Sequence, residues 1–468
     1  MVYDLSPGTS RLFNRMLSLK QCLVIVALGL TQQGVWAINS ANSLDFTLHK
    51  LGLDENGPTV LVIGGIQGDE PGGFTAASLL VTDYKITKGN VWIVPNLNFK
   101  SIIERSRGVH GDMNRKFLRL AKADPEYEAV EKIKSIILDK QVDLILNLHD
   151  GSGFYYPVYM DKSRNPRRWG QSVIIDQHAI EAPRYGNLAE LAERACKAAN
   201  SNIKYDKTHY HVKNTRTKEG DVEMEKTLTY FAIRNNKPAF GIEASKNFRT
   251  HTRALYHLFV VEAMLRELGI EYERNFEMSL TAIKERIDNN VKMALFDNKV
   301  YLDMAKARNR IRYVPMKKDE QVRFSASNPL IAVIGNEKSY KVRYGNRSVT
   351  QLHPQYFEYD DSLSSLKIWV DGELRDVAFG TVVNVKHQFK IEPIESYRAN
   401  IIGFTRRNTS DESGIIVKRK NIAKHYSVDR DSRKYRVELY RDGKFCGMVL
   451  VNFIKDTGVD FASTGDSG

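Results

Sequence analysis

Four short stretches hold the residue types that chemistry needs. The first is Gly64-Gly-Ile-Gln-Gly-Asp-Glu-Pro-Gly-Gly73, directly after the apolar run Thr59-Val-Leu-Val-Ile63. Its glycines let the backbone come close to a bound group. The Gln67-x-x-Glu70 spacing, in a turn entering a helix, aims two ligating side chains at one centre. A phosphate-cradling loop is the competing reading, but the Lys-Ser/Thr it needs is absent. The second stretch ends at His149, after Val142-Asp-Leu-Ile-Leu-Asn-Leu148. A lone His at a strand end is more often structural; beside a carboxylate from another strand end it becomes a metal ligand. Two such ligands plus a third make an open hydrolytic site that keeps one position for water. The third is Asp112-Met-Asn-Arg-Lys-Phe117, where Asn114 and Arg115 offer an amide and a planar cationic fork suited to a terminal carboxylate. The fourth is Glu243, an acid ending the apolar Ala239-Phe-Gly-Ile242, which requires an ion-pair partner or a task.

These residues need a frame. Thr59–Ile63, Val91–Val94, Val142–Leu148 and Pro238–Glu243 read as buried strands from their apolar, β-branched content. Helical patterns separate them over Phe74–Tyr84, Glu126–Asp139 and Leu188–Ala199. Strands alternating with helices predict an α/β sheet covered on both faces. Such sheets place chemistry in the loops past the carboxyl ends of strands, where all four stretches fall. His251–Leu268 reads as an amphipathic helix and Met278–Arg308 as charged and mostly helical. From Ile311 the chain alternates like β structure, with Asp371-Gly372 and Asp442-Gly443 as turn signals. One or two small β modules are expected there.

The 468 residues allow about three domains. A hydrophobic content of 42% excludes a disordered chain, and three Cys (Cys22, Cys196, Cys446) exclude a disulfide scaffold. The 69 basic against 56 acidic residues favour an anionic partner. Arg11, Arg15 and Lys20, the apolar run Cys22–Leu30 and Val35-Trp-Ala37 follow the order of a secretory signal. Nine apolar residues are too few to span a bilayer core that needs about 20. Export predicts a soluble periplasmic protein with no membrane span after removal of the signal, and argues against nucleic acid as the partner. Lys418–Lys444 holds ten basic residues against four acids, a solvated β face or a docking surface for anionic wall.

Taken in order, the four stretches resemble one family, the M14 zinc carboxypeptidases. Gly64–Gly73 looks like that family's Gly-Gly-Ile-His-Gly-Asp-Glu segment, with Gln67 where His is usual. The resemblance covers residues 44–265. It implies one zinc ion per chain on Gln67, Glu70 and His149, a substrate-carboxylate clamp of Asn114 and Arg115, and Glu243 as general base. It also implies an oxyanion-stabilising Arg107, for which Arg105 competes, and a pocket lined by Thr229 or Tyr230. An amide is a weak zinc donor, so affinity should fall. With export and C-terminal β modules, the Gln variant is similar to the cell-shape-determining D,L-carboxypeptidases of epsilonproteobacteria. Those remove meso-diaminopimelate from the peptidoglycan stem tripeptide. Two other readings stay open: a wall-binding pseudoenzyme with a dead metal site, and an amide deacylase of the aspartoacylase or desuccinylase type. The expected division is a signal peptide over 1–37 and an α/β carboxypeptidase domain, a mixed sheet flanked by helices, over 44–265. A helical connector over 266–310, a β-rich module over 311–395, a sandwich-like module over 396–460 and a flexible tail over 461–468 complete it.

Overall fold

A computed structural model describes residues 38–454 except 337 and 408. The expected signal peptide and tail lie outside the described residues.

Seven strands build the largest sheet among the described residues, in the order His211–Asn214, Ser172–Ile175, Ala239–Ser245, Leu144–Gly151, Thr59–Gly64, Asn90–Val94, His49–Leu51. Ala239–Ser245 pairs antiparallel with Ser172–Ile175, as His49–Leu51 does with Asn90–Val94; the other pairs are parallel. The sheet is therefore mixed. Its three central strands are buried at every position, which explains their unbroken apolar sequences. Helices α1 (Pro71–Asp83), α2 (Phe99–Glu104), α3 (Tyr127–Ile137), α4 (Leu188–Asn200), α5 (Leu228–Arg234) and α6 (Thr250–Glu267) accompany it. α1 begins three residues before the expected start because Pro71 suits a first helical position. His149 and Asp150 lie inside their strand, which runs on to Gly151. α6 is buried along most of its length, so it is a core helix and not an amphipathic one.

The region read as a helical connector needs correction. Past the end of α6 at Glu267, only α7 (Leu280–Asn289) is helical there. Glu271–Arg274 pairs with Tyr84–Lys88, and Lys292–Leu295 and Val300–Asp303 are strands of the next module. Their charged residues occupy the solvent side of strands as well as of helices, and charge alone does not separate the two. The middle module has two four-stranded sheets. One comprises Ile38–Ser40, Arg323–Ala326, Lys292–Leu295 and Val300–Asp303; the other Arg310–Lys317, Arg347–Phe357, Ser339–Tyr344 and Ile331–Asn336.

The boundary expected at 395/396 cuts through the C-terminal sandwich. Val382–Val385 pairs with Lys444–Phe453, and Gln388–Ile391 with Val417–Lys418. Such pairing over long sequence separations leaves no local signature. Asp442 and Gly443 both have positive φ, as the expected two-residue hairpin turn requires. Strand Lys434–Arg441 is covered on both sides. Tyr435, Val437 and Leu439 face the sandwich core, while Arg436 donates to the carbonyls of Tyr313 and Arg312 in the middle module. Other bases of Lys418–Lys444 also face the middle module, Lys434 pairing with Asp303 and Arg430 donating to Ala307 O, while Arg436 pairs within its own strand with the buried Glu438.

Candidate active site

The glycine-rich loop is tight because protein, not ligand, presses on it. A Cβ on Gly68 would lie 2.0 Å from the Ser101 backbone, and one on Gly73 2.5 Å from Leu148 O. The loop is thereby wedged between α2 and the His149 strand, which brings Gln67 and Glu70 to His149. Glu243 sits directly opposite His149 in the parallel register of their strands, so both side chains emerge on one face.

Gln67 Oε1 and Glu70 Oε2 lie 3.1 and 3.0 Å from His149 Nδ1. These separations approach the donor–donor edges, about 3.3 Å, of a tetrahedron with bonds of about 2.05 Å. The amide of Gln67 is oriented by Asp112, whose two oxygens accept from Nε2 at 2.8 and 2.9 Å. Only Oε1 is then left to face the centre. Glu70 is fixed likewise: Oε1 is held by Arg107 Nη1 at 3.4 Å and Lys246 Nζ at 3.3 Å, and Oε2 accepts from Asp150 N. Among the described residues no three His, Cys, Asp or Glu side chains converge as a metal cluster. The amide is what completes the donor set, and the set fits a divalent cation with one weak ligand. Burial opposes charge on His149, but the hydrogen bond and charge of Glu70, with Glu243 and Asp112, raise its pKa above the usual imidazole value. Metal binding here must displace that proton.

These residues line one cavity of about 380 Å³ with Arg107, Asn114, Arg115, Trp169, Ile174, Met224, Thr227, Thr229, Gly241, Glu243 and Lys246 among its walls. Asn114 Oδ1 accepts from Leu228 N at the start of α5, which leaves its Nδ2 as the group free for a ligand. Arg115 Nε lies 3.5 Å from the exposed Glu223. Of Arg107 and Arg105, it is Arg107 that lines the cavity; Arg105 instead donates to Asn346 O in the middle module. Thr229, and not Tyr230, lines the wall. Burial pushes the Glu243 carboxyl up to about 8, with His149 working against the shift and Glu70 and Asp150 adding to it.

The sequence reading assigned no role to several residues at this site. Asp112 sits two residues from Asn114, and Lys246 three beyond Glu243. Asp150 follows His149 and is fully buried, where it accepts from Gly72 N and pairs with Arg253 and His257 of α6. A buried acid beside a candidate ligand was the available signal for it; nothing local announces its partners, about a hundred residues on.

The family described as carboxypeptidase controlling helical cell shape, catalytic, matches residues 24–288. The family described as C-terminal domain of metallo-carboxypeptidase matches residues 359–454. The apo structure of the cell shape determinant protein Csd4 from Helicobacter pylori is 36% identical, with a TM-score of 0.79, covering 88% of this chain and 100% of that chain. Its tripeptide-bound form, also at 36% identity, has a TM-score of 0.78 over the same shares. Its mDAP-bound form, described as a D,L-carboxypeptidase, is 36% identical with a TM-score of 0.78 over 89% of this chain and 100% of that one. No curated protein matches the chain.

Proposed function

The chain belongs to the metallo-carboxypeptidases that control helical cell shape, and from that premise we propose a zinc-dependent D,L-carboxypeptidase acting in the periplasm. Its substrate is the tripeptide stem of peptidoglycan, from which it releases meso-diaminopimelate by cutting the amide to γ-D-Glu, leaving a dipeptide. The observation that carries this reading is the convergence of Gln67, Glu70 and His149 in one cavity with Arg115 and Glu243. The relatives bound to a tripeptide and to mDAP support the substrate class.

Arg115 and the free Nδ2 of Asn114 hold the terminal carboxylate, which restricts cleavage to the chain end. A bound zinc ion supplies polarisation of the scissile carbonyl and a water of lowered pKa. Glu243 takes the proton of the attacking water and returns it to the leaving amine. Burial favours the protonated Glu243; a divalent cation held by Gln67, Glu70 and His149 would favour its ionised form, the form that acts as base. Arg107, half exposed and tethered to Asp112 and Glu70, stabilises the developing oxyanion, a role worth about 3 kcal/mol.

The test is incubation of the zinc-loaded protein with purified muropeptides and mass analysis of the products. Loss of one diaminopimelate per tripeptide is expected. Intact tripeptide in a sample with full metal content would overturn the reading and favour a wall-binding protein.

A further inference from the structure

Beside the cavity, a closed loop carries its largest side chains outward. Ser152 and Trp169 line the cavity wall, and the chain between them folds back on itself. Phe154–Tyr155 pairs with Arg164–Asn165, and the amides of Met160 and Asp161 both donate to Arg164 O. The tip, Pro157-Val-Tyr-Met160, is exposed at all four positions, with Val158 63%, Tyr159 69% and Met160 52% accessible. Nowhere else among the described residues are neighbours in sequence both large, apolar and exposed. A second exposed aromatic, Tyr205 at 56%, stands on the adjoining loop. Tyr156 joins the two loops: its ring packs 4.6 Å from that of His211, and its hydroxyl donates to Asp206 O at 3.2 Å.

Single exposed apolar side chains are ordinary, but a contiguous apolar tip marks a surface meant for contact. The rim of this one is basic. Lys162, Arg167, Lys204 and Lys207 are exposed, and among the described residues none of the four makes an ion pair. The two acids on these loops lie against other bases, Asp161 at 2.7 Å from Arg164 and Asp206 at 3.5 Å from His209. Lys204 and Lys207 sit over the Tyr205 ring. Apolar and tyrosine side chains at a tip, with lysine and arginine around them, match the polarity gradient of an anionic lipid surface. Shape and charge count against other occupants. A sugar or peptide is gripped by a concave site, whereas this tip projects. A second copy of the chain would set one basic rim against another.

We propose that these two loops dock the protein on an anionic phospholipid surface. Val158, Tyr159 and Met160 enter the headgroup layer, and Lys162, Arg167, Lys204 and Lys207 meet the lipid phosphates. The inference does not depend on the substrate reading above.

The experiment uses the chain freed of residues 1–37, whose apolar run Cys22–Leu30 would itself bind lipid. It is sedimented with vesicles of phosphatidylcholine alone or mixed equally with phosphatidylglycerol. Sedimentation with the mixed vesicles only, weakening as salt is raised, is expected. Tyr159→Ser with Met160→Ser should weaken binding about tenfold or more. Lys204→Glu with Lys207→Glu should weaken it about 25-fold or more, from about fivefold per lysine. All four side chains are exposed, so melting temperatures should stay near the parent's; if one pair unfolds the protein, the other decides. Absence of sedimentation, equal sedimentation with both vesicle types, or parent-like binding in the folded variants overturns the inference. So does a loss, in those variants, of capture by purified peptidoglycan sacculi or of self-association in place of vesicle binding, which would assign the surface to glycan or to a second copy.

Discussion

Gln67 turns its oxygen toward the centre because both carboxylate oxygens of Asp112 hold its amide nitrogen. A carboxylate in that position suits an imidazole equally well, since it accepts from the ring nitrogen that is not bound to metal. Gln67→His should therefore raise zinc occupancy, and adding Asp112→Ala should lower it again, with a loss of about tenfold or more in affinity. Elemental analysis after dialysis against a weak chelator measures both, and parent-like zinc in Gln67→Ala would remove the amide from the donor set. Arg115 stands on different physics. It faces solvent on one side, and among the described residues it pairs with the exposed Glu223 and donates to the neighbouring Asn114 O, so its removal should spare fold and metal. Arg115→Ala is expected to lower kcat/KM roughly 10²-fold, the scale of a bidentate charge-assisted hydrogen bond, with Lys a poor substitute. Unchanged kcat/KM in that variant would take the carboxylate clamp out of the mechanism.

At the scale of elements, the site depends on a hairpin from outside the catalytic sheet. Arg343, at the end of strand Ser339–Tyr344, donates to Ile103 O of α2 at 2.8 Å, and Arg105 just past α2 donates back to Asn346 O. The turn between them is close-fitting: Gly345 has φ +52°, and a Cβ there would meet the Phe74 ring at 3.0 Å. These bonds anchor the loop that carries Arg107 and Asp112. Arg343→Ala should reduce kcat several-fold with KM little changed and lower Tm by a few degrees, as expected for the loss of one or two hydrogen bonds; Arg343→Lys should recover part of both. A lowered Tm with parent-like kcat would make the hairpin a structural support only. This dependence is invisible in the sequence, because Ile103 and Arg343 are far apart and neither belongs to a motif. What is legible is local. The strands bearing His149 and Glu243 are fully buried, so their apolar runs stand out and the polar residue that ends each is conspicuous. The Gln67-x-x-Glu70 pair is legible through its glycines, although those glycines serve contact with Ser101 and Leu148 and not with a ligand.

On the scale of the whole molecule, two cores decide how the chain should come apart. One runs unbroken from the catalytic sheet through the middle module to the outer face of two sandwich strands, joining residues such as Leu146, Phe74, Tyr344, Leu302, Phe445 and Met448. The other lies between the sheets of the C-terminal sandwich, around Ile368, Phe389, Val437 and Val451. Calorimetry should accordingly resolve two transitions, a larger one for the catalytic and middle parts and a smaller one for the sandwich. With zinc held by Gln67, Glu70 and His149 as proposed, only the first part would bind it, so zinc should raise only the larger transition, by a shift equivalent to about 2.7 kcal/mol when free zinc is 100 times its Kd. The smaller transition should carry its own pH dependence through Glu412. Burial pushes this carboxyl up to about 7, against the Ile401 N–H and Arg398, which favour its charged form. The folded sandwich thus holds the Glu412 proton more tightly than the unfolded chain, whose carboxyl titrates near 4.5. That stabilisation is complete below the unfolded value and is lost as pH rises through the folded one. From pH 5 to pH 8 the sandwich transition should fall in the parent and fall less in Glu412→Gln, which keeps an oxygen for the Ile401 N–H but has no proton to lose. The larger transition should not respond to that substitution. A single transition moved as a whole by zinc would mean that the contacts of Arg430 and Arg436 with the middle module weld both cores into one cooperative unit.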